Sequence, residues 1–234
     1  MAQYRQCKNL QSSMKKTYEN QMKIEYVGKE KKVFSMYTGQ ENKRSEMIVY
    51  NIFNGLDLVY KKFNTYTVPE FNQKLQRKYI EIDYCKRGVL ECASKSGKTL
   101  YFGEGEIASN INMMKKTTSN FINGYYEGIE ILIDINEFQE TLPEMFKNIV
   151  DNIKELKKIL IDNEQGVILK PIKEMVHIFD ELYYINPEKD KIYAQIKVLE
   201  LLHVFTVIPF DNKSRKKVYL EKKQIDKIKV IHEE

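Results

Sequence analysis

Residues 79–108 read YIEIDYCKRGVLECASKSGKTLYFGEGEIA, and the alternation inside this stretch decides the fold. Ile80, Ile82 and Tyr84 point one way along an extended chain, and Glu81, Asp83 and Cys85 point the other. That period of two is what a strand with one buried face requires. Arg87-Gly88 and Ser96-Gly97 supply residues that tolerate positive φ at hairpin turns, and Gly103-Glu104-Gly105-Glu106 makes a further corner. The stretch predicts three short strands and the start of a fourth, folded as part of a small antiparallel barrel.

The flanking sequence extends this pattern. MIVYNIF, Asn54-Gly55 and LDLVYKKF form a clear hairpin signal, because Asn-Gly fits the positive-φ positions of a tight turn. GYYEGIEILIDI, residues 124–135, reads as a late, largely buried strand, and residues 33–37 as a strand-like piece in an otherwise polar and basic N-terminal part. From residue 136 the pattern turns helical. Asn136 is an N-cap for EFQETLPEMF, which Pro143 interrupts. Helices are expected over 151–160, from Pro171 onward, and over 188–208, with a short strand at 166–169. The fold class is α+β: a cupin-like antiparallel β-barrel of jelly-roll type over 45–135, after a polar extension at 1–44. A helical dimerisation region with its short strand occupies 136–209, and a linker 210–234.

Composition fits an ordinary globular protein. The 234 residues carry 38 Lys and Arg against 33 Asp and Glu, a formal net charge of +5. That balance is modest and spread along the chain, so it does not by itself mark a nucleic-acid surface. No run approaches the ~18–20 apolar residues of a membrane span. The N-terminus lacks the apolar core of a signal peptide, and Cys7, Cys85 and Cys92 lack metal-type spacing. These features point to a reducing cytoplasm. Both barrel cysteines read as small packing residues.

Chemistry-bearing patterns are sparse. A metal-dependent barrel needs imidazole and carboxylate ligands converging inside it, yet His177, His203 and His232 all fall beyond the barrel. Glu81, Asp83 and Glu91 are the remaining acidic candidates, and their alternation with apolar residues reads as a solvated strand face. Ser96-Gly97-Lys98-Thr99 matches the end of a phosphate-binding loop. That loop requires a glycine five residues before Gly97, where Cys92 stands, and it must open a helix rather than a strand. No metal, cofactor or catalytic residue is expected.

The helix over 188–208 is apolar on several faces. Ile192, Ile196, Leu199, Leu202 and Phe205 form one stripe, and Val198, Leu201, Val204 and Ile208 another. A helix buried nearly all round lies in a core or at an interface. The first stripe is therefore expected to meet a second subunit.

Taken in order, MIVYNIFNGLDLVYKKF, residues 80–108, YYEGIEILIDI with NEFQETLPEMF, and IKVLELLHVF resemble the regulatory half of AraC/XylS-type transcription regulators, in the branch common in Firmicutes such as clostridia. The resemblance covers residues 45–234. It implies a barrel that binds an effector, helices that form a homodimer contact, and a DNA-binding domain with two helix-turn-helix motifs entered at Tyr219–Glu234. Those motifs are missing from this sequence, so no DNA-binding residue is assigned, and the chain reads as the regulatory piece of a longer protein. The implied mechanism is linkage: a small-molecule or peptide effector shifts the arrangement of barrel, helices and tether. Phe53, Leu58, Tyr60, Ile82, Tyr84 and Phe102 are the expected pocket lining, as inward apolar and aromatic residues. Two other classes stay open: a standalone sensor that forms mixed dimers, and a cupin-like small-molecule enzyme.

Overall fold

A computed structural model of the chain describes residues 23–26, 31–37, 44–66, 79–93, 98–111, 118–140, 142–162, 167–207 and 219–221. Among these, ten strands form one sheet. They are β1 (Lys23–Tyr26), β2 (Lys31–Tyr37), β3 (Arg44–Phe53), β4 (Leu56–Phe63), β5 (Ile80–Ala93), β6 (Lys98–Gly103), β7 (Ile107–Ile111), β8 (Thr118–Ile133), β9 (Val167–Leu169) and β10 (Tyr219–Glu221). The helices are α1 (Ile135–Gln139), α2 (Lys147–Asp162), α3 (Lys173–Tyr184) and α4 (Lys191–Val207). No described helix is long and apolar enough to cross a membrane.

The strands run β1-β2-β3-β4-β8-β5, all antiparallel, and then the sheet forks. The far edge of β5 pairs with β7 through Ile80–Tyr84 and with β6 through Val89–Ala93. Between them lie two irregularities, at Cys85/Arg87 and Gly88/Leu90. Bulges add a residue, bend a strand and raise its twist, which is how one long strand serves two diverging wings. β9 extends the β7 wing and β10 the β6 wing. Phe34 of β2, Phe102 of β6 and Ile168 of β9 share one buried cluster although their strands are far apart in the sheet order. The sheet therefore curls on itself into a barrel.

Two expectations are corrected here. Arg87-Gly88 is not a hairpin turn: β5 continues through it for 14 residues. Gly88 is a bulge residue with φ of +97°, and a Cβ there would come within 2.3 Å of the Tyr125 carbonyl oxygen. Cys85 and Cys92 therefore lie on the same strand. The N-cap of α1 is Asp134, not Asn136; its carboxylate accepts from the backbone N–H of Asn136 at 3.1 Å and of Glu137 at 3.4 Å. The Asn54-Gly55 hairpin forms as expected, and its Gly55 carbonyl receives the Asp134 N–H at 2.8 Å. Ser96 and Gly97 lie outside the described residues, but Lys98 and Thr99 open a strand.

The convex face of the barrel carries the helices. Leu56, Leu58, Ile80, Ile82, Ile129, Ile131 and Ile133 pack against Phe138, Ile153, Met175, Phe179, Leu182, Val198 and Leu202 in one buried cluster. Tyr84 stacks on Phe179 with ring centroids 4.4 Å apart. Polar pins fix the helices to the strands. Tyr60 donates to the Leu182 carbonyl at 2.6 Å, Gln195 to that of Ile52 at 2.8 Å, and Lys31 pairs with Glu188 at 2.6 Å. At the bulge, Lys86 Nζ lies 3.5 Å from the Tyr183 ring centroid and 4.0 Å from Asp180.

Candidate functional site: the barrel interior and the groove beside it

The opposite face of the same strands lines the barrel interior. The register sets its side chains in rows that cross the sheet. One row runs Met47, Lys61, Gly128, Cys85; the next Val49, Val59, Glu130, Asp83, Ala108, Ile168; the third Asn51, Asp57, Leu132, Glu81, Asn110. One end is aromatic, with Phe63 stacked on Phe121 at 5.2 Å and Phe121 on Tyr126 at 5.1 Å. The middle is ionic. Lys61 Nζ lies 2.7 Å from Asp83 Oδ2 and 2.9 Å from Glu130 Oε2, and the Tyr126 hydroxyl donates to Asp83 Oδ1 at 3.0 Å. Gly128 makes room for this: a Cβ there would lie 3.1 Å from the Tyr126 hydroxyl and 2.5 Å from the Tyr84 carbonyl oxygen.

Glu81 is the third carboxyl group near this ammonium. Opposite unit charges about 4 Å apart attract by roughly 4 kcal/mol at the effective dielectric of a protein, so charge balance governs this interior. Burial, and then the charge of Glu130, pushes Glu81 up to about 8 against the pull of Lys61 and the Asn110 amide. Burial also raises Glu130, although Lys61 opposes it. Asp57 rises to about 6 through burial, countered by the Asn51 amide 2.9 Å away. Burial drives the Tyr126 hydroxyl and the Cys85 thiol upward too. Cys85 is thus an un-ionised packing residue, since the thiolate is the reactive form. Among the described residues no three of His, Cys, Asp and Glu form a metal-ligating group; Lys61 occupies the centre that a cation would need.

The reading of Glu81, Asp83 and Glu91 as a solvated face is therefore overturned. Asp83 is 9% exposed, Glu130 8% and Glu91 7%. Asp83 and Glu130 share Lys61, whereas Glu91 faces away from the interior and accepts from the Tyr101 hydroxyl at 2.6 Å. Of the six expected pocket residues, Phe53, Leu58, Tyr60, Ile82 and Tyr84 belong to the helix-packed convex face, and Phe102 alone lies inside the barrel. The physical reason is strand parity. The apolar alternate positions are covered by α1–α4, which leaves the mixed positions to line the interior.

Tyr60 does line a cavity, although not one inside the barrel. An open groove of about 330 Å³ lies where β3 and β4 emerge beyond the end of α3. Ile48, Tyr50, Tyr60, Tyr183 and Ile185 wall it, with Glu46, Lys62 and Asn186 among its polar lining. Tyr50 and Tyr60 meet edge to face at 5.8 Å. Glu46 is within 3.5 Å of Arg44 Nε. The volume is at the lower end of the range for small-molecule sites, roughly 300–1,000 Å³.

Helix α4 is divided differently from the two predicted stripes. Ala194, Val198, Leu201, Leu202 and Phe205 are buried in the chain's own core. Leu202 and Phe205 thus leave the stripe expected to meet a partner, and Leu199 is half-buried against the core. Ile192 and Ile196 are 71% and 53% exposed, with Val207 at 55%. Lys197 ties this helix to α3 through Glu181 at 2.5 Å and also reaches Glu200 at 2.9 Å, and both carboxylates hold its ammonium form. Ile208 lies outside the described residues, as do all of 210–234 except β10.

No protein-family model matches the chain, and no curated protein does. Among solved structures it is similar to ToxT from Vibrio cholerae, at 9% identity over 68% of this chain and 60% of that one, with a TM-score of 0.33. It is also similar to a single-substitution form of oxalate decarboxylase from B. subtilis, at 13% identity, 47% and 30% coverage and a TM-score of 0.27. The chain thus spans less than two thirds of either. Its own topology is α+β, an antiparallel barrel with helices following it.

Proposed function

We propose that this chain is the effector-sensing and dimerisation module of an AraC-type transcription regulator, working in the cytoplasm by binding rather than catalysis. DNA is reached through a C-terminal domain outside this sequence. The observation that carries the reading is the two-sided α4: one side completes the core, while the other leaves Ile192 and Ile196 in solvent. A second copy of this helix is the partner that such a ridge fits. The effector enters the tyrosine groove, whose wall Tyr60 is hydrogen-bonded to the last turn of α3. Occupancy there changes the contact between β4 and α3. Lys197 and Glu181 pass that change to α4, and the ligand acts by its differential affinity for the two arrangements.

Sedimentation velocity tests the dimer. The wild-type chain is expected to sediment as a dimer, and the Ile192→Glu/Ile196→Glu variant as a folded monomer. A wild type that stays monomeric at every concentration overturns the reading. The groove is tested by melting the wild type and a Tyr60→Phe variant against a panel of sugars, peptides, lipids and aromatic compounds. An effector raises the wild-type melting temperature and raises that of the variant less.

A further inference from the structure

Inside the barrel the Lys61 ammonium is paired with two carboxylates, Asp83 and Glu130, and its charge also reaches Glu81 in the row beyond them. Directly across the β5–β7 pair from Glu81 stands Asn110. Its Oδ1 is enclosed and accepts no hydrogen bond from any described residue, while its amide engages the Glu81 side chain. An enclosed carbonyl oxygen without a donor is costly, and a protonated carboxyl group carries the donor it lacks. Carboxyl and carboxamide then satisfy each other in two parallel bonds, O–H to O and N–H to O.

We propose that Glu81 and Asn110 form a proton-operated latch that fastens β7 to the long strand β5. With the proton on Glu81 the pair is closed, and Lys61 neutralises Asp83 and shares Glu130. With the proton lost, Asn110 Oδ1 has no donor and three carboxylates compete for one ammonium. The charged groups around the latch come from every neighbouring strand: Asp83 on β5, Glu130 on β8, and Lys61 and Asp57 on β4. Lys32 of β2 and Glu137 of α1 act on Asp57. β9, which pairs with β7 on its other side, contributes Val167–Leu169 and no ionisable group. Opening therefore loosens the β7–β9 wing and leaves the β4–β8–β5 sheet in place. The device is independent of any effector and of the regulatory reading above.

The sign follows from linkage. Glu81 binds its proton more tightly in the folded chain than in the unfolded one. Its contribution to stability is present below the unfolded value and is lost as pH rises through the folded one. The test uses the full chain with carboxyl-¹³C-labelled glutamate, assigned by Glu81→Gln. The wild-type Glu81 signal is expected to titrate in the neutral to mildly alkaline range, well apart from the exposed glutamates. The melting temperature should fall as pH rises from about 4.5 to about 8 and level off above that, and backbone amides of Ile107–Ile111 should lose protection over the same window. A carboxamide in place of the Glu81 carboxyl group keeps both hydrogen bonds at every pH, so Glu81→Gln should show neither change. A wild-type Glu81 that titrates with the exposed glutamates, or a Glu81→Gln protein whose β7 exchange follows the wild type across pH, overturns the latch.

Discussion

The central stretches of strands β4, β5 and β8 are buried on both faces, by opposite means. Their convex face is built of leucine and isoleucine against helices, and its cohesion is non-directional and insensitive to pH. Their concave face places Lys61, Asp83, Glu130 and Glu81 between an aromatic end and a polar row, and its cohesion depends on each charge keeping its partner. Alternation along a strand thus reports that two faces differ in polarity. It does not report which of them meets water.

Substitutions on the two faces separate these kinds of burial. The largest expected effect is that of Lys61→Met, which strands Asp83 and Glu130 and should cost about 3–5 kcal/mol in urea unfolding. A loss below about 1 kcal/mol, the range of a surface ion pair, would mean that water reaches the interior freely. Next comes Leu58→Ala on the convex face, at about 2–5 kcal/mol for a buried leucine, with the same cost at every pH where the fold survives. Asp134→Ala removes the α1 cap that follows β8 and should cost about 1 kcal/mol. Smallest is Ile192→Glu, expected to change monomer stability by no more than about 0.5 kcal/mol, because its side chain contributes nothing to the core. A loss of several kcal/mol there would place α4's outer side inside the fold.

Much of the fold is legible in the residues. Asn54-Gly55, the alternation in Ile80–Tyr84, the apolar run of β8 and the helix-breaking Asn186-Pro187 each give an element in its place, because each signal is local. The interior was not legible from β5 alone, since Glu81 and Asp83 look the same whether they face water or Lys61. The missing signal lies one level up. The helices after residue 136 carry broad apolar faces that need an apolar partner, and the isoleucine side of β5 and β8 is that partner. Once the helices claim it, the acidic positions must line the barrel. Lys61 in LDLVYKKF and Glu130 between two isoleucines then stand in neighbouring rows of that face. Gly88 misled for a related reason: positive φ is required equally by a turn and by a bulge, and only the partner strand distinguishes them. On α4, the division of stripes depends on where α3 and the sheet lie, which helical period alone does not determine.

Lys61 and Lys62 are adjacent in sequence and opposite in face, and they test the enclosed interior most directly. Lys61 has 14% of its side chain exposed and is held by two carboxylates, whereas Lys62 is exposed. Brief acetylation of the native chain, read by peptide mass spectrometry against the urea-unfolded chain, compares their reactivities. The structure predicts that Lys62 is modified readily in both states and that Lys61 is modified only after unfolding. Equal modification of the two lysines in the native protein would contradict it.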